Sequence, residues 1–514
     1  MEIIKETFNS YREIGRETLQ AKVENDCIVP DVKPDVAEIV LATSSVTQMN
    51  ARPYTDRVVI SGQITYRVIY ADENGGYDSM AVPGDFTTTV WVQGASPDSI
   101  CLLNGTTVST ECGIINSRKI NLKTMVELSV EIMGSEEIQL FTGVNSDNSM
   151  EIVTEQTQIL ESAGHLHFCK DLVSTLEAPQ GGDMIGKILH FDMSPTDISR
   201  TVDYDRITIA GNMRMSVLYT GTDSNTIMLL EREVPFEVQE DSKGLLPETL
   251  LRTVITLESP YAQIVNDSDG EPTVIELGAT LCVEGLAGTL RTVDYIKDGY
   301  SIELPLSAEK QPISFMSGIW HSTETVSFTE ELMLPEAQVG EIVGVWAHLD
   351  NLEGTNHENT AAVKGNLSVN VLYTEQGNKG LMGASFSVPV NTAWDMSRCE
   401  GCRVCDVIGS IKNISCAVNS PVRLGLRFTV GMEIYTCSRE GIQQVCDFLT
   451  DSRGFPANFS CGMVVYYPEK GETLWDVAAR YMVTVEELKA LNGIDGNTIP
   501  NRIFLPGKQI ISKG

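Results

Sequence analysis

Four cysteines have the spacing in this chain that most resembles a metal site. Cys399, Cys402 and Cys405 are each separated by two residues, and Cys416 follows eleven positions later. Thiolates at such spacing can hold zinc or an iron–sulfur cluster. The two other repeats described below have no similar cysteines at the equivalent positions. We therefore expect reduced thiols in a loop, and neither a metal nor another cofactor.

Histidine offers a second candidate site. His165, His167 and Cys169 alternate along the sequence, so on a strand they would share one face and could ligate a metal together. The chain has six histidines, but no His-Glu-x-x-His run and no Gly-x-Ser-x-Gly run is present. We therefore expect no metal here, assign no catalytic residue and predict that the protein is not an enzyme.

Composition excludes several classes of partner. The chain has 514 residues and a net charge of −33, which disfavours nucleic acid and anionic membrane surfaces. No apolar run is long enough for a membrane span. The N-terminus, Met1 to Glu6, lacks a basic region followed by an apolar core, so we expect no signal peptide. Twelve cysteines without such a signal suggest reduced thiols in a cytosolic compartment.

One pattern of alternating residues occurs three times. In the stretch from Val58 to Tyr70, apolar residues occupy every second position, which is typical of a strand with one buried face. A glycine lies inside the pattern and a tyrosine follows it eight residues later. The glycine–tyrosine pairs are Gly62 and Tyr70, Gly211 and Tyr219, and Gly365 and Tyr373. The copies lie about 150 residues apart, which indicates three related units.

These patterns predict a mainly β protein. We expect three repeated all-β domains of sandwich or open-barrel type, because many short alternating strands are separated by turn signals. The predicted ranges are 1–155, 156–312 and 313–455. A fourth domain, over 462–511, differs from them and is described next.

The C-terminal segment predicts two short helices between two strands. Thr473 and Thr484 are good helix N-caps, and each is followed three residues later by an acidic residue, Asp476 or Glu487. Gly493 suits the left-handed position after a helix. Apolar residues near both ends of the segment predict the two strands. The expected order is strand, helix, helix, strand.

This segment closely resembles a LysM domain. The resemblance rests on Gly-Glu-Thr-Leu-Trp at 471–475, on Val-Thr-Val-Glu-Glu-Leu at 483–488, and on the Leu-Asn pair that follows. It implies binding of N-acetylglucosamine polymers such as peptidoglycan in a groove between two loops. Carried over, the binding residues are Gly471, Glu472, Thr473, Asn497, Thr498, Ile499 and Pro500. We predict that Trp475 is structural and packs against Leu491 and the closing strand.

The three repeats resemble the SPOCS domain of SipL-type spore-envelope proteins. The resemblance rests on Asp31-Val32-Lys33-Pro34-Asp35, on the stretch from Gly62 to Tyr70 and on its two later copies. It implies a clostridial source and a role in assembly of the spore coat. The implied location is the mother-cell cytoplasm at the forespore surface. The implied partner is the ATPase that polymerises into the coat's basement layer.

The function predicted from these resemblances is a non-enzymatic assembly scaffold that binds a basement-layer coat protein. The LysM module would bind a glycan or, because the cytosol holds no mature peptidoglycan, a protein. One alternative is a peptidoglycan-binding protein of the cell wall or spore cortex. Another is a cell-wall hydrolase with an unrecognised site.

Overall fold

The computed structural model is built almost entirely from β-strands. It describes residues 2–146, 149–179, 183–222, 226–335, 338–350, 352–357, 359–377, 380–397, 401–450, 463–496 and 498–506. Within these ranges the only helices are two short ones near the C-terminus. The predicted fold class, mainly β with a small βααβ module at the end, is confirmed.

The first repeat forms two antiparallel three-stranded sheets. We call one the terminal sheet, because it contains the first and last strands of the repeat in the order β1-β6-β5. The other, the central sheet, has the order β2-β3-β4. The strands are β1 (Glu2–Ile28), β2 (Val36–Tyr54), β3 (Arg57–Asp72), β4 (Tyr77–Trp91), β5 (Ile100–Asn116) and β6 (Lys119–Asn145).

The other repeats have the same topology. Repeat 2 contains β7 (Met150–Glu177), β8 (Ile185–Asp203), β9 (Arg206–Gly221), β10 (Ile227–Asp241), β11 (Leu250–Val265) and β12 (Val274–Ser301). Repeat 3 contains β13 (Leu306–Met333), β14 (Val339–Leu349), β15 (Glu353–His357), β16 (Thr360–Glu375), β17 (Leu381–Asp395), β18 (Arg403–Ser420) and β19 (Arg423–Thr450). In repeat 3 the second strand is divided into β14 and β15, which both pair with β16.

The alternating residues form the middle strand of each central sheet. Gly62, Gly211 and Gly365 lie on β3, β9 and β16, as the repeated pattern predicted. On β3 the alternate side chains are fully buried between the two sheets, because burying one face of a pleated strand removes every second residue from water. The hydroxyl of Tyr66 donates to the backbone oxygen of Val23, 2.9 Å away, so the buried phenol keeps a hydrogen-bond partner.

The three repeats share apolar cores. One cluster contains residues from all three terminal sheets, among them Tyr11, Leu286 and Tyr435. A second cluster joins the three central sheets: Ile69, Leu218 and Trp346. The three repeats therefore share apolar clusters and pack directly against one another.

The junction of the central sheets also buries polar groups. The indole nitrogen of Trp346 donates to the Ser216 hydroxyl, 3.0 Å away. The His190 ring packs edge-on against this indole, with the ring centroids 4.8 Å apart. Burial lowers the pKa of His190 to about 3, and nearby Arg67 adds to this effect. The ring is therefore neutral at pH 7, as its apolar surroundings require.

A buried arginine connects all three repeats at the junction of the terminal sheets. Arg252 of β11 donates from Nη1 to Glu131 of β6, 2.8 Å away, and its Nη2 contacts the same carboxylate. Nη2 also lies 3.6 Å from Asp406 of β18. Arg16 of β1 adds a second cation, 2.6 Å from Glu131. Burial alone would raise the pKa of Glu131, but Arg252 and Arg16 hold it below its usual value, so the carboxyl is ionised.

The exact domain boundaries stay predictions. β7 begins at Met150 and β13 at Leu306, a few residues before the predicted boundaries. Since the long strands also contact other repeats, the end of one repeat is not marked by a loss of contacts.

The contacts of Arg252 predict a large effect on stability. Arg252→Ala should lower the free energy of unfolding by about 3–5 kcal/mol, because it leaves the buried carboxylate of Glu131 without its main partner. The control is Arg206→Ala, which removes an exposed arginine from its ion pair with Asp241 and should change the stability little. Urea unfolding of both variants measures the difference. Equal losses in the two variants would contradict this role.

Candidate functional site

The C-terminal module has the predicted order of elements. They are β20 (Met463–Tyr466), α1 (Leu474–Tyr481), α2 (Val485–Asn492) and β21 (Ile503–Pro506). Both predicted capping boxes are present, one between Thr473 and Asp476 and one between Thr484 and Glu487. β20 and β21 are antiparallel, with Tyr466 opposite Ile503. The loop that follows β20 and the loop that precedes β21 therefore leave the same end of the small sheet, where the groove was predicted.

The first loop is held by Glu472. Its carboxylate accepts from the Tyr466 hydroxyl at 2.8 Å and from the Glu469 amide at 2.7 Å, and it pairs with Arg480 at 2.6 Å. These partners, led by the Glu469 amide, lower the pKa of Glu472. The carboxylate thus fixes the loop, while Gly471 takes the left-handed conformation with φ +95°. A ligand can therefore form hydrogen bonds mainly with the backbone of this loop.

The second loop supplies the opposite side of the predicted groove. Thr498 is exposed, whereas Ile499 and Pro500 are half-buried. Ile499 packs against the core of the module. Asn497, which was also predicted to bind ligand, lies outside the described residues. An exposed hydroxyl and neighbouring backbone groups can hydrogen-bond either an acetamido sugar or a peptide.

Trp475 packs against the core of its module and against repeat 2, while its predicted contact with Leu491 stays a prediction. Its indole packs edge-on against Tyr300 of β12, with ring centroids 4.8 Å apart, and its Nε1 donates to Asp298 at 3.2 Å. Leu474 and Val477 turn toward the core of the module, and position 475 lies about 100° away from Leu474 around the helix. Trp475 therefore lies at the side of that core, packs against it and joins it to repeat 2.

A second contact fixes the module on β12. The buried hydroxyl of Tyr300 donates to the backbone oxygen of Val483, 2.8 Å away, in the turn between the two helices. Burial raises the pKa of Tyr300 well above its usual value, so the phenol keeps the proton that it donates. Tyr300 and Asp298 were not recognised from the sequence, because nothing near them indicates that a segment so far along the chain packs there.

One cysteine of the candidate cysteine site is paired outside it. Cys405 forms a disulfide with Cys437, and Cys402 is also disulfide-bonded. Cys416 is a half-buried free thiol, and Cys399 lies outside the described residues. The expectation of reduced thiols is thus wrong for Cys402 and Cys405. Sequence spacing suggested that these cysteines would act together, but pairing of β18 with β19 brings Cys437 close to Cys405.

The histidine candidates lie together on one strand face. His165 and His167 both contact the carboxylate of Glu284 on β12. Cys169 is opposite Cys282 in the same strand pair and forms a disulfide with it, so it is not a reduced thiol either. Among the residues that the structure describes, no group of three or more His, Cys, Asp or Glu side chains is arranged to hold a metal ion.

Comparison with known proteins identifies modules of a binding or scaffold protein. Residues 469–501 match the LysM domain family. Residues 35–115, which lie in repeat 1, match the SipL SPOCS domain. The predicted resemblance to SipL-type proteins is thereby confirmed. No curated protein matches the chain, and no solved structure does. Over the described ranges, no helix has the length and apolar character needed to cross a membrane.

Docking of the LysM module depends on Tyr300. Tyr300→Ala should leave the module folded on its own core but weaken its contact with β12 by about 3 kcal/mol, roughly a hundredfold in the docking equilibrium. Hydrogen exchange should then accelerate in peptides that contain Val483 and Asp298. Tyr300→Phe, which keeps the ring and loses one hydrogen bond, should show an intermediate effect of about 1 kcal/mol. As a control, Tyr261→Ala removes an exposed tyrosine from β11 of the same repeat. Unchanged exchange in Tyr300→Ala would refute this docking.

Proposed function

We propose that this protein is a non-enzymatic scaffold of the spore envelope that binds a basement-layer coat protein. The observation that carries the proposal is the combination of two binding modules, a SPOCS domain and a LysM domain, on one body of interlocked repeats. A body of this kind can hold two surfaces at a fixed separation. Such an arrangement suits assembly, which needs preorganised binding surfaces.

The partner and the location rest on the resemblance. SipL-type proteins imply the coat's basement-layer ATPase as partner and the forespore surface, on the mother-cell side, as location. The net charge of −33 supports this proposal against a role on nucleic acid. It also supports association through specific surfaces, because such a charge disfavours self-association without complementary groups.

The groups left in the groove of the LysM module are able to bind a protein. The indole of Trp475 packs against Tyr300, and the carboxylate of Glu472 is occupied by three partners of its own module. This aromatic ring and this charged group are thus engaged within the protein. The remaining groups are backbone amides and hydroxyls, which can extend a hydrogen-bonded contact with a peptide.

The alternative is a peptidoglycan-binding protein of the cell wall or cortex. The observation that favours it is the LysM match itself, since domains of this family commonly bind N-acetylglucosamine polymers. The two functions differ in the ligand of the same groove, so a single set of variants can separate them.

The test compares two threonine caps. Thr473→Ala and Thr484→Ala should each cost about 1 kcal/mol, because both remove a capping hydroxyl, but only Thr473 lies at the predicted groove. We expect the wild-type chain to capture purified basement-layer ATPase and not to sediment with insoluble peptidoglycan. Capture should weaken about tenfold when Thr473→Ala is combined with Thr498→Ala, and it should persist in Thr484→Ala.

Three results would contradict the proposal. The first is failure of the wild-type chain to capture the ATPase. The second is strong sedimentation with peptidoglycan that the groove variants lose and Thr484→Ala retains, which would establish the alternative. The third is release of soluble fragments from cell walls by the wild-type chain, which would show that it is an enzyme.

A further inference from the structure

The outward face of one sheet differs from the rest of this acidic protein. In the central sheet of repeat 1, Arg57 starts β3 and lies opposite Tyr54 of β2 on one side and Trp91 of β4 on the other. Arg52 lies on β2 two residues before Tyr54 and opposite Val59, so its side chain points to the same face, further from the turn. Trp91 is 71% exposed and Tyr54 is 42% exposed. We call these four residues the Arg–Trp face.

The groups of this face are preorganised. The guanidinium carbon of Arg57 lies 5.4 Å from the centre of the Tyr54 ring and 5.8 Å from the ring of Trp91. Such cation–π contacts keep all three side chains in place. The turn beneath them is tied down, because Asp56 accepts from the amides of Val92 at 3.0 Å and Gly94 at 2.7 Å. The side chains are therefore partly ordered before a ligand binds, which lowers the entropy cost of binding.

Repeat 2 shows that the fold does not require these residues. The position of Arg57 is taken by Arg206, but its neighbours across the sheet are Asp203 and Asp241. The Nε atom of Arg206 lies 2.8 Å from Asp241, so its charge is compensated within the protein. Tyr204 of this repeat lies in the turn before β9 and is exposed, but it does not lie opposite Arg206 in the sheet.

Repeat 3 supports the same conclusion. Thr360 occupies the position of Arg57, with His357 and Asp395 beside it. The equivalent faces of both later repeats thus include carboxylates. On the outward face of repeat 1, residues that lie opposite one another on the three strands form rows across the sheet. The three rows nearest the turn contain two arginines and no carboxylate. The charge of this face is therefore opposite to that of the chain as a whole, which is −33.

We propose that the Arg–Trp face binds an acidic, aromatic-containing segment of a partner protein. The proposal rests on the scaffold function and names a surface that could carry it, separate from the LysM groove. Arg52 and Arg57 provide the charge complementarity, and the guanidinium edge of Arg57 can pair with a carboxylate. Trp, Tyr and Arg are the residue types that contribute most binding energy in protein interfaces.

The test measures binding of the full chain to a defined acidic probe. Fluorescence anisotropy follows a fluorescein-labelled copolymer of glutamate and tyrosine. We expect the wild type to bind this copolymer and to bind poly-glutamate more weakly. Arg57→Ala and Trp91→Ala should each weaken binding at least tenfold. Both side chains are exposed, so the thermal midpoint of unfolding should be unchanged and loss of binding is not loss of fold.

Matched controls come from repeat 2. Arg206→Ala and Tyr204→Ala remove an exposed arginine and an exposed tyrosine near the equivalent turn and should bind as the wild type does. Weakening by Arg206→Ala as large as that by Arg57→Ala would overturn the proposal, because binding would then reflect general attraction. Wild-type affinity of Trp91→Ala, or equal binding of poly-glutamate, would overturn the aromatic part.

Three further outcomes separate this proposal from the alternatives. A dimer in sedimentation velocity that Arg57→Ala dissociates would show a second copy on this face and overturn the choice of partner. If the wild type and Arg57→Ala both capture the coat ATPase but Arg57→Ala no longer binds the copolymer, this face does not bind the ATPase, and the scaffold function is unaffected. If Arg57→Ala weakens both while Arg206→Ala weakens neither, the proposal is supported.

Discussion

The buried guanidinium of Arg252 is the constraint on which the arrangement of the repeats depends. A charge removed from water must be compensated, and here the compensation comes from Glu131 of repeat 1 and Asp406 of repeat 3. Separation of any repeat would leave a charge unpaired or return it to water together with the apolar surface around it. The same junction packs Tyr11, Leu286 and Tyr435 from the three repeats. Since hydrophobic burial and ion pairing act at one place, the three repeats form one body.

That body determines where the LysM module sits. The module follows repeat 3 in sequence, yet it packs on β12 of repeat 2 through Trp475 and Tyr300. This is possible because the ends of the long strands of repeats 2 and 3 lie side by side, as Lys310 of β13 shows by pairing with Asp298 of β12 at 3.1 Å. The groove of the module and the Arg–Trp face of repeat 1 are consequently carried by one framework. A scaffold that presents two surfaces in a fixed relation can bind one partner with both, or join two partners.

The features of the structure that the sequence predicted are those that depend on residues close together in the chain. Alternation of apolar residues identified β3, β9 and β16, and threonine followed by an acidic residue identified the starts of α1 and α2. The unrecognised contacts join residues far apart in the chain. No local pattern pairs Arg252 with Glu131, Cys405 with Cys437 or Trp475 with Tyr300, because each pair depends on how strands and repeats pack. The spacing of the cysteines could not show that Cys405 pairs with Cys437, for the same reason.

Calorimetry of the full chain tests most directly whether the three repeats form one body. If they do, heat unfolds all three in a single transition, and the calorimetric enthalpy equals the van't Hoff enthalpy. The small LysM module can contribute a separate, minor transition without affecting this result. Three resolved transitions of similar size, or a calorimetric enthalpy about three times the van't Hoff value, would show that the repeats unfold independently and would contradict the account.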